Sequence, residues 1–246
     1  MFKRHASIAN DAANIELLAP TAQILNQDNV NGLSNFSNNL SGGSFTLAGG
    51  ENLTTEGLFT NSGSLTVKKS STFTVGGSST NYNQTGGATT VDGTLAVPAG
   101  GLVNATGGTL QGAGTVSGSV SLGNASGAAA TFIIGDNLKK AGLFSISDNY
   151  TQLATGAMDV QIGGMKAGTK YSQLSVADSV KLAGTLNISL ISKFTPVIGQ
   201  VFIILNAPSG ITGTFSTVNG LSINPSEHLS LSYMPTSLVL DVVSGP

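Results

Sequence analysis

The sequence predicts an all-β chain folded as a right-handed parallel β-helix (a β-solenoid) with terminal caps, on three observations. Near-identical stretches recur at short intervals: Leu58–Val67, Asn81–Val91 and Leu102–Leu110, with a fourth copy at Asn149–Gly156. Aligned on Gly63, Gly86 and Gly107, the first three lie 23 and 21 residues apart, a period that belongs to stacked repeat architectures. From Ser44 onward apolar residues alternate with polar ones, as in Phe45/Leu47, Leu65/Val67, Phe73/Val75 and Leu95/Val97, which is the side-chain period of a β-strand. Double glycines at 42–43, 49–50, 76–77, 86–87, 100–101 and 107–108 separate these runs. They offer the positive-φ corners a chain needs to turn around a coil.

Along the chain, residues 1–32 are expected to form an N-terminal cap or first coil. Ser7–Leu18 is the best helix candidate, yet Asn14–Leu18 reads equally well as a strand, so both remain open. Residues 33–135 are expected to be β-helix repeats of about 20–23 residues, and residues 136–246 the distal coils and C-terminal cap. In that last part Tyr171–Val176, Leu182–Leu190, Val201–Leu205, Gly213–Val218 and Leu238–Val243 are longer, more apolar strands. Asn-Gly hairpin signals are few (Asn31-Gly32, Asn219-Gly220), which favours parallel stacking over meanders. About ten coils at roughly 4.8 Å each are expected, with open end strands liable to recruit other chains.

Composition narrows the function classes. Of 246 residues 40% are hydrophobic, so a core can form, while only 9% are charged, against about 25% in ordinary globular domains. Net charge is −2 and Arg4 is the single arginine, leaving no basic stripe for phosphates and no nucleic-acid partner. The chain has no cysteine, compatible with export. Met1–Ile8 carries basic residues without an apolar run behind them, and Val201–Leu205 is the longest apolar stretch. No membrane insertion by this segment is expected, and an export signal, if one exists, is placed upstream of it.

The catalytic inventory is sparse, and no catalytic, cofactor-binding or metal-binding residue is nominated. A Ser-His-Asp triad would need His5, near the terminus, or His228, which reads as a solvated loop histidine, and no Gly-x-Ser-x-Gly elbow occurs. Acids are scattered: Glu51, Glu56, Asp92, Asp136, Asp148, Asp159 and Asp178. Stacking could still unite distant ones, for instance Asp136 with Asp159, as glycoside hydrolysis would require. Neither metal-ligand nor calcium-loop spacing is present. Gly112–Gly118 and Gly163–Lys170 imitate nucleotide loops only loosely and read as corner glycines, so no cofactor is expected. Lys68-Lys69 and Lys139-Lys140 are expected to project from loops and discourage edge pairing, with acidic glycans as the alternative. Thr66, Thr72, Thr74, Thr89 and Thr90 read as ordinary outward strand residues rather than a ligand ladder, and Tyr82, Tyr150 and Tyr171 as packing residues.

The distal segment resembles a known family. Asn149–Gln152, Tyr171–Val176, Leu182–Leu186, Phe194–Leu205 and Gly213–Phe215 are similar to the end of the passenger β-helix (pectin-lyase-like) of autotransporter-like bacterial surface proteins. There a Tyr-Asp-Gln-Leu strand, a Leu-Gly-Gly-Thr-Leu strand and a Gly-Phe-x-Pro-x-x-Gly turn follow one another. Gly107–Val116 resembles the family's strand repeats. Ser172 stands where the family often has Asp and Ala183 where it often has Gly, and the family's anchoring barrel is expected to lie outside residues 1–246. The resemblance spans about Phe45 to Val243 and implies a right-handed parallel β-helix, export and cell-surface exposure, with no particular activity. The expectation is a non-catalytic extracellular stalk, spacer or adhesin-like module of a larger protein, whose signal and anchor lie outside it. Glycans or other surface proteins are its expected partners. The alternatives are a carbohydrate-active or carbohydrate-binding β-helix and a module that self-associates through its end strands.

Overall fold

Three sheets of stacked strands build the protein, and from the second coil on, the chain contributes one strand to each sheet in turn. The structure is a computed structural model and describes residues 7–78 and 80–245, so Arg4 and His5 lie outside the described residues. The first sheet has nine strands, from Asn10–Asp11 through Phe59–Asn61 and Tyr82–Gln84 to Ile211–Gly213. The second has nine along its main order, from Asn14–Leu17 through Ser64–Val67 and Ala88–Val91 to Thr217–Asn219, and a tenth, Lys140–Ala141, paired beside them. The third starts one coil later, at Asn52–Thr54, and runs parallel to Val201–Asn206. Nine coils therefore stack, one fewer than the spacing argument gave, and the architecture is a parallel β-solenoid. Ser7–Leu18 is not helical: it supplies the short strands Asn10–Asp11 and Asn14–Leu17, paired with Asn38–Asn39 and Ser44–Leu47.

Alternation translates into inside and outside. Phe45, Leu65, Thr89, Leu110, Phe132, Met158, Leu186 and Val218 occupy equivalent positions of successive second-sheet strands. All but Val218 are buried. Leu53, Phe73, Leu95, Val116 and Ile146 form the matching inward column of the third sheet. Aromatic rings fill the wider parts of the tube: Phe59 lies 4.8 Å from Phe73 edge-on and 5.7 Å from Tyr82 in a stacked pair, separations at which ring quadrupoles attract. Tyr82, Tyr150 and Tyr171 are core residues, as their strand phase predicts.

The threonines singled out in the sequence divide by phase. Thr66 and Thr90 stack on the outer side of the second sheet behind Thr46, and Thr72 and Thr74 lie on the third sheet. Thr89 instead points inward and is buried.

Glycines mark the corners because two backbones meet there. The true register aligns Gly63 with Gly87 and Gly108, one residue along from the Gly86 and Gly107 of the sequence alignment, since the latter two corners hold one residue more. Gly87 and Gly108 have φ of +57° and +70°, and a β-carbon on either would collide with a carbonyl oxygen of the corner beneath. Only glycine satisfies both conditions.

Coil length is not uniform. Equivalent first-sheet residues are 17 to 23 apart between Asn38 and Leu122, then 30 or 31 apart from Leu122 to Ile211. Much of the surplus goes into the corner between the second and third sheets. It is residues 68–71, 92–93 and 113–114 in three proximal coils, and 137–142, 163–172 and 191–200 in three distal ones. The first of these distal corners contains a hairpin, with Asp136 opposite Lys140 across the three-residue loop 137–139, Asn137 and Leu138 both at positive φ and Lys139 N donating to the Asp136 carbonyl. Lys140 thus sits in a strand rather than a loop.

At the C-terminal end the parallel order stops. Ser237–Ser244 pairs antiparallel with Val201–Asn206, Glu227–Tyr233 with Ser237–Ser244, and Ser222–Asn224 with Glu227–Tyr233. Leu229, Leu238, Leu240 and Val242 are buried, so this meander closes the core where the next coil would lie. His228 belongs to the middle strand of the meander, opposite Val243, which corrects its reading as a loop residue.

Candidate functional site

The interior holds a polar line that the alternation alone does not announce. Asp11, Asn39, Asn61 and Gln84 occupy equivalent inward positions of four consecutive first-sheet strands, just before the corner, and all are buried. Asn39 Nδ2 donates to Asn61 Oδ1 at 2.7 Å and to the Ser64 carbonyl at 2.9 Å. Asn61 Nδ2 donates to Thr89 Oγ1 at 3.0 Å and to the Ala88 carbonyl at 3.2 Å, and Gln84 Nε2 to the Gly107 carbonyl at 3.1 Å. Tyr82 Oη and Thr89 Oγ1 are 2.6 Å apart, and burial drives the Tyr82 phenol far above its usual pKa against the opposing hydrogen bonds from Thr89 and Asn61. Gln152 repeats the motif farther along, accepting from Tyr150 Oη at 2.9 Å and donating to the Gly156 and Thr185 carbonyls. The signal was present as aromatic-x-amide at Phe59-x-Asn61, Tyr82-x-Gln84 and Tyr150-x-Gln152: the amide sits in the apolar phase. This network ties corners to strands, with Asp11 Oδ2, Asn39 Oδ1 and Gln84 Oε1 left without hydrogen-bond partners among the described residues.

Among the described residues three cavities merit chemical reading. A corner cleft of about 230 Å³ lies between the second and third sheets and is lined by Lys69, Asp92, Ala113, Asp136, Lys140 and Thr169 from five successive coils. It brings two acids from different coils, Asp92 and Asp136, to one opening. Carboxylates there can accept from sugar hydroxyls and the ammonium groups can donate. Lys68 Nζ is 3.8 Å from Asp92, with both side chains solvated, a pairing of small energetic weight.

The second cavity, about 500 Å³, sits at the C-terminal end and is lined by Phe215, Val218, Leu221, His228, Leu231 and Tyr233. The His228 side chain makes no hydrogen bond among the described residues, so the structure assembles no triad on it. The third, also about 500 Å³, opens at the N-terminal end beside the strand Asn52–Thr54 and is lined by Leu17, Ile24, Leu33, Glu51 and Leu53 among others. Glu51 is 8% exposed, and its Oε2 is buried without a hydrogen-bond partner. The sequence reading placed Glu51 among scattered acids; its inward phase two residues before Leu53 is the signal that sets it apart.

Asp136 and Asp159 do not converge. Asp159 is level with Ile133 and Asn187, whereas Asp136 turns into the hairpin with Lys140, and Asp159 does not line the corner cleft. Asp159 is largely buried on the outer side of its strand, and burial raises its carboxyl above the ordinary range, opposed by a hydrogen bond from Asn187 Nδ2 at 2.6 Å. Asp148 and Asp178 stack on successive coils, Asp178 N donating to the Asp148 carbonyl at 3.3 Å, and Asp148 also accepts from Ser147 Oγ at 3.1 Å, while Glu56 is exposed on its own corner. Among the described residues no group of three or more His, Cys, Asp or Glu side chains could hold a metal ion, and no helix is long and apolar enough to cross a membrane. No protein-family model matches the chain, and no curated protein sequence matches it.

Proposed function

We propose that this chain is a non-catalytic β-helix segment of a larger bacterial surface or secreted protein, acting as a stalk, spacer or adhesin-like module. The observation that carries the reading is the through-packed tube: inward columns such as Phe45 to Val218 run from coil to coil. Outward positions carry small polar residues such as Thr46, Thr66, Thr90, Thr72, Thr94 and Thr115. Such a body suits projection better than turnover, because its order serves its own length. Surface placement in the manner of autotransporter-like passengers is supported by where the resembling motifs fall. Tyr171–Val176 delivers the third-sheet strand Gln173–Val176, Gly184 turns the corner before Thr185–Leu190, and Phe194–Gly199 leads into Val201–Asn206. Incubation with a broad polysaccharide panel should release no product; release would refute the reading.

A carbohydrate-binding or carbohydrate-active reading is favoured by one observation, the corner cleft with Asp92 and Asp136. Titration with neutral and cationic oligosaccharides, repeated on Asp92→Asn and Asp136→Asn, separates it from the first: binding lost in both variants would support it.

A further inference from the structure

The N-terminal end of the solenoid is one strand short on one side. The first coil gives Asn10–Asp11 to the first sheet and Asn14–Leu17 to the second, but the third sheet begins only at Asn52–Thr54 of the next coil. The Glu51 carbonyl accepts from Thr72 N and Thr55 N donates to the Thr74 carbonyl. In a parallel ladder alternate residues face opposite neighbours, so the N–H and C=O groups of Asn52 and Thr54 face the open edge. No hydrogen bond reaches them from that side among the described residues. Between this edge and the segment Ala22–Leu25 lies the cavity of about 500 Å³, with Leu17, Leu33 and Leu53 in its apolar lining. Into it projects Glu51, more than nine-tenths buried, with Oε2 unpartnered. A buried acceptor left unpaired is costly, so the cavity carries a specific demand for a donor, best met by a cation.

We propose that this mouth is a strand-addition site for an extended peptide of another protein that bears a basic side chain two residues from an apolar one. Backbone pairing with Asn52–Thr54 supplies the generic part of recognition, as in other strand additions. The apolar side chain continues the inward column Leu53, Phe73, Leu95, and the basic side chain meets Glu51. Residues between and beyond them face solvent, where the neighbouring strands carry Thr72 and Thr74. A three-residue strand spans about 10 Å, the length of the edge on offer. The site is independent of the stalk reading, since a spacer and an enzyme could both carry it.

The probe is a fluorescein-labelled peptide, Thr-Lys-Thr-Val-Thr with blocked ends, titrated with the full chain and followed by fluorescence polarisation. Saturable binding is expected, weakened about tenfold or more by Glu51→Gln, the range lost with a charge-assisted hydrogen bond. It should vanish with Thr54→Pro, which removes an N–H from the open edge and none from the ladder. The peptide with Glu in place of Lys should not bind. Should Thr54→Pro unfold, as circular dichroism would reveal, Glu51→Gln alone decides. Binding that ignores Glu51→Gln, or no binding at millimolar peptide, overturns the proposal. So does concentration-dependent self-association of the wild-type chain that displaces the peptide, which would assign the edge to a second copy.

Discussion

Asn39 and Asn61 face each other across one coil inside the tube, the Nδ2 of the first donating to the Oδ1 of the second at 2.7 Å. Asn61 in turn donates to Thr89 Oγ1 and the Ala88 carbonyl, so one side chain ties together two coils and a corner. Asn61→Ala should cost about 2–4 kcal/mol, since it leaves buried partners unsatisfied and opens a void. Urea unfolding would measure this, and amide hydrogen exchange should show the loss concentrated in the coils around residue 61.

Two glycines with similar backbone conformations should respond very differently to a methyl group. Gly87 and Gly199 have φ of +57° and +88°, but a β-carbon at Gly87 meets the Gly63 carbonyl, while at Gly199 nothing lies within 4 Å. Gly199→Ala should cost about 1 kcal/mol for the left-handed backbone alone. Gly87→Ala should cost several times that, because coils must separate to admit it. Equal losses in thermal unfolding would contradict the close approach of the corners.

Asp159 makes stability depend on pH in a definite direction. Its folded pKa is raised by burial, with the Asn187 bond opposing, so the folded state binds this proton more readily than the unfolded one. Stability from this group is therefore highest below the ordinary carboxylate range and falls as pH climbs through the raised value. Asp159→Asn keeps an acceptor for Asn187 Nδ2 and should raise the melting temperature at pH 7, with little gain at pH 3. A larger gain at pH 3 would reverse the sign and refute the account.

Removal of residues 222–246 should convert a closed end into an adhesive one. The strand Val201–Asn206 would lose its antiparallel partner, exposing a parallel-sheet edge and the core behind Leu205. Such edges recruit other chains, so light scattering should report aggregation that the full chain does not show at the same concentration.

Much of the fold was legible because the strand period and the corner glycines agree along the chain, from Phe45/Leu47 to Leu95/Val97. The coil register was less so: corners absorb an extra residue without disturbing the strands, which is why Gly87, not Gly86, stacks on Gly63. Asn61 and Gln84 escaped because polar side chains beside Ser-Gly or Thr-Gly resemble turn composition, although their phase is inward. The antiparallel end from Ser222 shares its alternation with parallel strands, and period two carries no strand direction; His228 was misplaced for that reason. Glu51 and Asp159 became distinct only once neighbouring coils covered them, a property of packing between segments far apart in the chain.

The unequal corners leave the parallel order of the stack intact, with one bulge at Gly112, while the outline swells mainly along one edge, at residues 137–142, 163–172 and 191–200. Because alignment is carried by the flat sides, the exposed turns of that edge, such as those at Met165 and Ile198, can gain residues, whereas Tyr171 and Ser172 are buried and tie the corner to the core. These turns are the natural place to graft a foreign epitope or a reporter loop, and the place where related chains should diverge most in length.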